Sequence, residues 1–275
     1  MLRTLVRGLL RRRAGLSGGR QVPRIEASAR GVVIDEGNLA SFIAIARSPA
    51  SRYLPLVYPQ LVAGPLHVKV LSDKRMPVGA MGIVHVRNHI EQVHAIDSGA
   101  CLDLHVMAEG HRVVKHGAEI DLLTEVTVDG EVAWRAVTTI LARGPWGSGE
   151  GSTKASDPLP SEGEIVWNVP ENIGRKYRKV SGDVNPIHLH ALPAKLLGFE
   201  RAIAHGTWTL SRCAAELGES DESVCLDVHF RRPVFLPGVV RFRSSDTSNG
   251  VDFELLNRNG DKQHLFGHLS SAQDR

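Results

Sequence analysis

Val228-His229-Phe230-Arg231-Arg232-Pro233-Val234, in the second half of the chain, repeats the Val-His-x-Arg spacing of Val84-His85-Val86-Arg87-Asn88-His89-Ile90 in the first. Chance can produce one such match, but the order of features after it is shared as well. In each half a glycine follows (Gly99, Gly238), then a strand-like run (101–107, 239–242), then another glycine (Gly110, Gly250). A further run, a hairpin signal at Asp129-Gly130 or Asn259-Gly260, and a last strand complete both series. The ordered match predicts an internal duplication, two units each built mainly of antiparallel strands.

Between the two series, residues 144–163 are too rich in Gly, Ser and Pro to hold regular structure and read as a linker. The predicted organisation is therefore a basic N-terminal extension (1–24), a first unit (25–143), the linker (144–163) and a second unit (164–275). A length of 275 residues suits two ordinary domains. The 42% hydrophobic and 23% charged content is that of a soluble globular protein, with no apolar run of the roughly 18 to 20 residues a membrane span needs. Cys101, Cys213 and Cys225 lie far apart without a Cys-x-x-Cys spacing, so neither a disulfide framework nor a zinc knuckle is indicated. A reducing, cytoplasmic setting is expected.

Charge is unevenly placed. Seven arginines, at 3, 7, 11, 12, 13, 20 and 24, precede the first acidic residue, Glu26; setting them aside turns 33 bases against 30 acids into 26 against 30. The mildly acidic body argues against a nucleic-acid-binding face. In the extension, Leu2, Leu5, Val6, Leu9 and Leu10 recur at helical spacing opposite Arg3, Arg7 and Arg11. A solvated extension, a helix making peripheral membrane contact through residues 1–13, and a mitochondrial-type presequence all fit that pattern.

The second unit carries the chemistry. Its predicted order is a strand over 165–169, a helix over 170–180, a turn at Asp183, a short helix over 192–197 stopped by Gly198, an apolar helix over 206–217, and three or four strands. The last helix is apolar nearly all round, as expected of one wrapped by a curved sheet. Within Ser181-Gly182-Asp183-Val184-Asn185-Pro186-Ile187-His188, the Asn-Pro step and Gly182 make a rigid turn that can aim a carboxylate and an imidazole at one point. A water held between Asp183 and His188 could lose a proton to one while the other delivers a proton to carbon. Ala204-His205-Gly206 opens the apolar helix, whose free N–H groups could receive developing negative charge. The alternative is structural: Asp183 as a turn or cap residue and His188 as a satisfied buried histidine.

Tyr177-x-x-Val180-Ser181-Gly182-Asp183-Val184-Asn185-Pro186-Ile187-His188, then Phe199, Ala204-His205-Gly206 and the run 230–238, resembles the MaoC-like (R)-specific enoyl-thioester hydratases over about residues 164–270. The full layout is similar to the actinobacterial double-hotdog (3R)-hydroxyacyl-thioester dehydratases. That resemblance implies an α+β double hotdog, two tandem units each with a curved antiparallel sheet around a central helix. It implies that Asp183 and His188 activate water, that the Gly206 N–H polarises the thioester carbonyl, and that Asn185, Ser181 and His205 support or position the loop. Ala214 stands where some members have Ser, and His190 where Asp is common. The implied reaction is reversible hydration of trans-2-enoyl thioesters to (3R)-hydroxyacyl thioesters, in fatty-acid metabolism, without metal or redox cofactor. The carrier would be CoA or acyl carrier protein, and a homodimer is compatible with such folds. The rivals are a hotdog acyl-thioesterase and a non-catalytic acyl-thioester-binding subunit.

The first unit has no Asp-x-x-x-x-His pair between Ser41 and Met81, so it is expected to widen into an acyl-chain pocket while the second unit performs the chemistry. The histidines at 85, 89, 94, 105, 111 and 116 read as solvated or half-buried strand positions, not as metal ligands. Neither a Gly-x-Gly-x-x-Gly after a strand nor a Gly-x-Ser-x-Gly elbow occurs, which argues against a nicotinamide cofactor and a serine hydrolase of that fold.

Overall fold

The computed structural model describes residues 13, 15–79, 83–145, 158–160, 163–218 and 222–272. The helix expected in the N-terminal extension and most of the linker lie outside them. In the first half, β1 (Ile25–Val33) leads to helix α1 (Glu36–Ala46), and helices α2 (Tyr58–Val62) and α3 (Gly64–Ser72) precede strands β2 (Val84–Gln92), β3 (Cys101–Ala108), β4 (Arg112–Val114), β5 (Gly117–Val128) and β6 (Glu131–Arg143). The second half runs β7 (Ile165–Val169), α4 (Ile173–Ser181), a 3-10 turn (Pro186–His188), α5 (Ala191–Leu196), α6 (Gly206–Leu217), then β8 (Val224–Phe230), β9 (Gly238–Thr247), β10 (Gly250–Asn257) and β11 (Gln263–Ser271).

The strands form one antiparallel sheet in the order β1-β3-β5-β6-β2-β8-β11-β10-β9-β7, with β4 added to β5. Read outward from the β2–β8 pair, the order is the same on both sides. This is the double hotdog expected from the sequence. The two Val-His-x-Arg segments meet at its centre, where Arg87 faces His229 and Asn88 faces Val228. Period-two alternation explains how each strand faces the core: on β3, Leu102, Leu104, Val106 and Ala108 are buried and Cys101 and Asp103 exposed. Asp129, in the left-handed conformation, and Gly130 turn β5 directly into β6.

Helix ends follow the local chemistry. The Asp35 carboxylate accepts the Asn38 N–H at the start of α1, and Gly182, at φ 69°, ends α4 just before Asp183. That helix begins at Ile173 rather than at Pro170, because residues 170–172 form a turn closed by the Ile173 N–H on the Pro170 carbonyl. The α6 helix has the predicted bounds but is less apolar than expected: Thr209, Ser211 and Arg212 are buried alongside Trp208, Leu210 and Cys213. Arg212 finds its partners across the duplication. Its Nη1 donates to the Ala46 carbonyl (2.9 Å) and the Trp208 Nε1 to that of Ile45 (3.2 Å), so α6 satisfies carbonyls that α1 leaves open at its C-terminus. Asn38 Nδ2 of α1 reaches the Val180 carbonyl of α4 (3.0 Å).

At the chain's start, Arg13 donates to the carbonyls of Ser72 and Asp73 at the end of α3. Near the end of the linker, the Leu159 N–H donates to the buried Glu254 carboxylate and the Leu159 carbonyl accepts from Arg243. No helix among the described residues is long and apolar enough to cross a membrane.

Candidate active site

The turn after α4 is built by its own side chains. The Asp183 N–H donates to Ser181 Oγ (3.2 Å), the Asn185 N–H to Asp183 Oδ1 (2.8 Å), and the Ile187 N–H to Asn185 Oδ1 (3.4 Å). These contacts occupy Oδ1 of Asp183 and turn Oδ2 toward the imidazoles. The segment 202–204 supplies the opposite wall: Ile203 bridges to Phe235, its N–H donates to the Ile187 carbonyl (3.1 Å), and the Ala204 N–H donates to that of Val234 (2.8 Å). This segment also holds His188, whose Nδ1 lies 2.9 Å from the Ile203 carbonyl oxygen. Since a carbonyl only accepts, Nδ1 carries the proton and Nε2 of the neutral ring is a free acceptor.

Asp183 Oδ2 lies 3.9 Å from His188 Nε2 and 3.8 Å from His205 Nε2. These gaps are too long for direct hydrogen bonds and leave room for a bridging oxygen about 2.8 Å from each atom. The carboxylate is 46% exposed, whereas the His188 and His205 side chains are buried. The two rings stack at 3.8 Å between centroids, and the Tyr177 ring packs against His205 at 5.1 Å, tilted by 53°. Both nitrogens of His205 are cut off from solvent without a hydrogen-bond partner among the described residues. Burial lowers the His188 pKa, while the Asp183 charge and the Ile203 carbonyl oppose it. His205 is driven well below 6.5 by burial and by His188 beside it, with the Asp183 main chain opposing. Burial pushes the Tyr177 phenol far above its usual range; its hydroxyl faces Thr207 and Ser211 but closes a hydrogen bond with neither.

The structure thus gathers Asp183, His188 and His205 at one point, with Ser181 and Asn185 shaping the turn beneath them. Their ligating atoms lie within 4.8 Å of one another, a spacing that suits a water or a small divalent ion alike, although the sequence predicts no metal site. Gly206 follows directly as the first residue of α6. The His205 side chain does not cap that helix, so N–H groups of its first turn remain available.

Two contributors escape the sequence. Gly174 of α4 packs so closely on the turn that a Cβ there would lie 1.9 Å from the His188 carbonyl oxygen. The second is His85, read from alternation as an ordinary strand histidine. Its Cβ and Nδ1 lie 3.6 Å from the place a Gly206 Cβ would take, beside Phe230 at 3.5 Å. A groove of ≈ 750 Å³ lined by Arg201, Phe235, Arg258 and His264 flanks the 202–204 segment, but neither Asp183, His188 nor Gly206 lines it.

Residues 154–264 match the family model described as a MaoC like domain. The chain is 32% identical over 249 residues to 3-hydroxyacyl-thioester dehydratase X of Mycobacterium tuberculosis, covering 89% of each protein. It superposes on the crystal structure of HtdX from the same organism with a TM-score of 0.78 at 30% identity, covering 89% of this chain and 99% of that one. A MaoC-like dehydratase from Phytophthora capsici shares the fold, with a TM-score of 0.74 at 17% identity, covering 92% and 96%.

Proposed function

The chain belongs to the MaoC-like family, and from that premise we propose that it interconverts trans-2-enoyl and (3R)-hydroxyacyl thioesters by adding or removing water. The observation that carries this reading is the convergence of Asp183 Oδ2 on His188 Nε2 across 3.9 Å, with the imidazole fixed from behind by Ile203. A water in that gap donates to the carboxylate and to the free imidazole lone pair. In hydration, the Asp183–His188 pair takes a proton from the water as its oxygen bonds to the β-carbon, and the pair delivers a proton to the α-carbon. The thioester stays intact throughout. Between those events negative charge collects on the thioester oxygen, which the Gly206 N–H at the start of α6 stabilises. Asn185 and Ser181 hold the turn in shape, and His205 positions His188 through its stacked ring. The acyl group rides on CoA or on acyl carrier protein.

The test is direct. Trans-2-enoyl-CoA substrates of four, eight and more carbons are followed by loss of enoyl absorbance, with a thiol reagent present in parallel. Absorbance loss without thiol release, giving a product oxidised by a (3R)-specific but not a (3S)-specific dehydrogenase, is the expected result. Thiol release at the rate of absorbance loss makes the protein a thioesterase instead. The same acyl group on each carrier, compared by kcat/KM, identifies the preferred carrier.

A further inference from the structure

We propose that His85, a residue of the half that lacks the Asp-to-His turn, donates a hydrogen bond to the thioester carbonyl oxygen, alongside the Gly206 N–H. The inference rests on the hydratase reading and adds to it a carbonyl-polarising group from the other side of the duplication.

Position is the first argument. His85 lies on β2, the strand that pairs with β8 at the centre of the sheet, and this brings it against the first residue of α6. Its ring packs against Phe230 at 4.6 Å between centroids, tilted by 37°, so it has an apolar neighbour on one side. The side of Gly206 where a Cβ would stand is thus lined by this imidazole, with Nδ1 3.6 Å from that point.

Unsatisfied hydrogen-bonding capacity is the second. His85 Nε2 is sealed from solvent without a partner among the described residues. Other polar side chains nearby are paired: Asn88 donates to Gln60 Oε1 (2.6 Å) and accepts from Thr138 (3.0 Å), and His67 Nε2 lies 2.7 Å from Thr124 Oγ1. A buried polar group left unmatched is costly, and a bound carbonyl would supply the missing acceptor.

Charge state is the third. Burial holds His85 down at about 4, against the opposing pull of the Arg87 main chain and the Asn88 side chain, with His67 adding to the depression. At neutral pH the ring is an uncharged donor with one N–H. In a site shielded from water such a donor acts strongly on a developing oxyanion.

The experiment compares His85→Phe, which keeps an aromatic ring to pack on Phe230 but has no N–H, with His85→Gln, which keeps an amide donor. The expected result is a fall in kcat of about 10²-fold for Phe, with KM changed much less, and a smaller fall for Gln. Carbonyl polarisation is read separately, as the red shift of trans,trans-2,4-hexadienoyl-CoA absorbance on binding to Asp183→Asn protein, where turnover is blocked. Adding His85→Phe should reduce that shift. An undiminished red shift, or a His85→Phe kcat within twofold of wild type, overturns the proposal; so does an equal loss in Phe and Gln accompanied by loss of fold. Wild-type turnover tests the underlying hydratase reading, and the ratio of variant to wild type tests His85.

Discussion

His188 Nδ1 lies 2.9 Å from the Ile203 carbonyl oxygen, and this one contact decides which imidazole nitrogen faces Asp183. With the proton held on Nδ1, His188 turns its Nε2 lone pair toward the gap that the proposed water would fill. Asp183→Asn keeps the shape of the turn but removes the charge, and His188→Ala removes the acceptor. Each should lower kcat by about 10² to 10⁴-fold. Circular dichroism and Tm should stay close to wild type, because Asp183 is half-exposed and the turn retains its main-chain contacts. Near-wild-type rates in both variants would remove the mechanism.

The acid limb of activity follows from the direction of the His188 shift. The proposed mechanism needs the neutral ring as acceptor, and burial lowers its pKa below 6.5, so the neutral form persists further into acid. The acid-side midpoint of kcat/KM should therefore fall below pH 6.5. Asp183 raises the His188 pKa, so Asp183→Asn should move the NMR titration midpoint of His188 lower still. A midpoint above 6.5 in the wild type contradicts this environment.

Stability should respond to acid through the same class of group. His67 and His85 are both held at about 4 by burial, from an ordinary value of 6.5. A depressed pKa means the unfolded chain binds the proton more readily. Their contribution is thus complete above pH 6.5 and is lost progressively as the pH falls toward 4, at up to about 1.4 kcal/mol per pH unit for each residue. Urea denaturation at pH 7.0, 6.0 and 5.0 should show that decline. His67→Gln should flatten it, and an unchanged pH slope in that variant would show that His67 is not buried neutral in solution.

The fold was legible because it repeats: glycine and hairpin signals in one order in both halves predicted units whose strands are arranged alike about the β2–β8 pair. The geometry of the candidate site was legible where it is local. Asp183, Asn185 and His188 lie on one rigid turn, and Gly206 opens a helix whose apolar pattern marks both its ends. What escaped depends on contacts between distant segments. Strand alternation cannot reveal that His85 meets the start of α6, because the opposing surface belongs to the other half. Nor can helical periodicity reveal that Gly174 touches the His188 main chain, since that depends on how α4 crosses the turn. The burial of Arg212 was hidden too, because its partner carbonyls on α1 carry no side-chain signature.

Two glycine substitutions should separate packing from chemistry. A Cβ on Gly174 would lie 1.9 Å from the His188 carbonyl oxygen, a contact that main-chain atoms can relieve only by moving the turn. Gly174→Ala should lower Tm and cut kcat together, since a shift of about 1 Å in a reacting group can cost 10²-fold. A Cβ on Gly206 would meet nothing nearer than 3.5 Å. Gly206→Ala should therefore fold with a Tm near wild type and lose activity through crowding of the bound carbonyl. Equal Tm losses in the two variants would show that Gly206 is also a packing position.

Arg212 joins the two halves through a single buried guanidinium. It donates to the Ala46 carbonyl at the end of α1, pairs with Glu216 one turn along α6, and lies 4.6 Å over the Trp167 ring of β7. Arg212→Met keeps much of the stem but strands the Ala46 carbonyl and leaves the Glu216 carboxylate, mostly shielded from solvent, without its cation. Breaking a buried pair from one side costs about 3 to 5 kcal/mol, so a clear loss in urea midpoint is expected. Arg212→Lys should rescue little, because one ammonium cannot reach the carbonyl and the carboxylate while also lying flat on the indole. Adding Glu216→Gln to Arg212→Met should recover part of the loss by removing the unpaired charge. If instead Arg212→Lys is as stable as wild type, the planar fork is dispensable and the remaining contacts between the halves, the β2–β8 ladder among them, suffice.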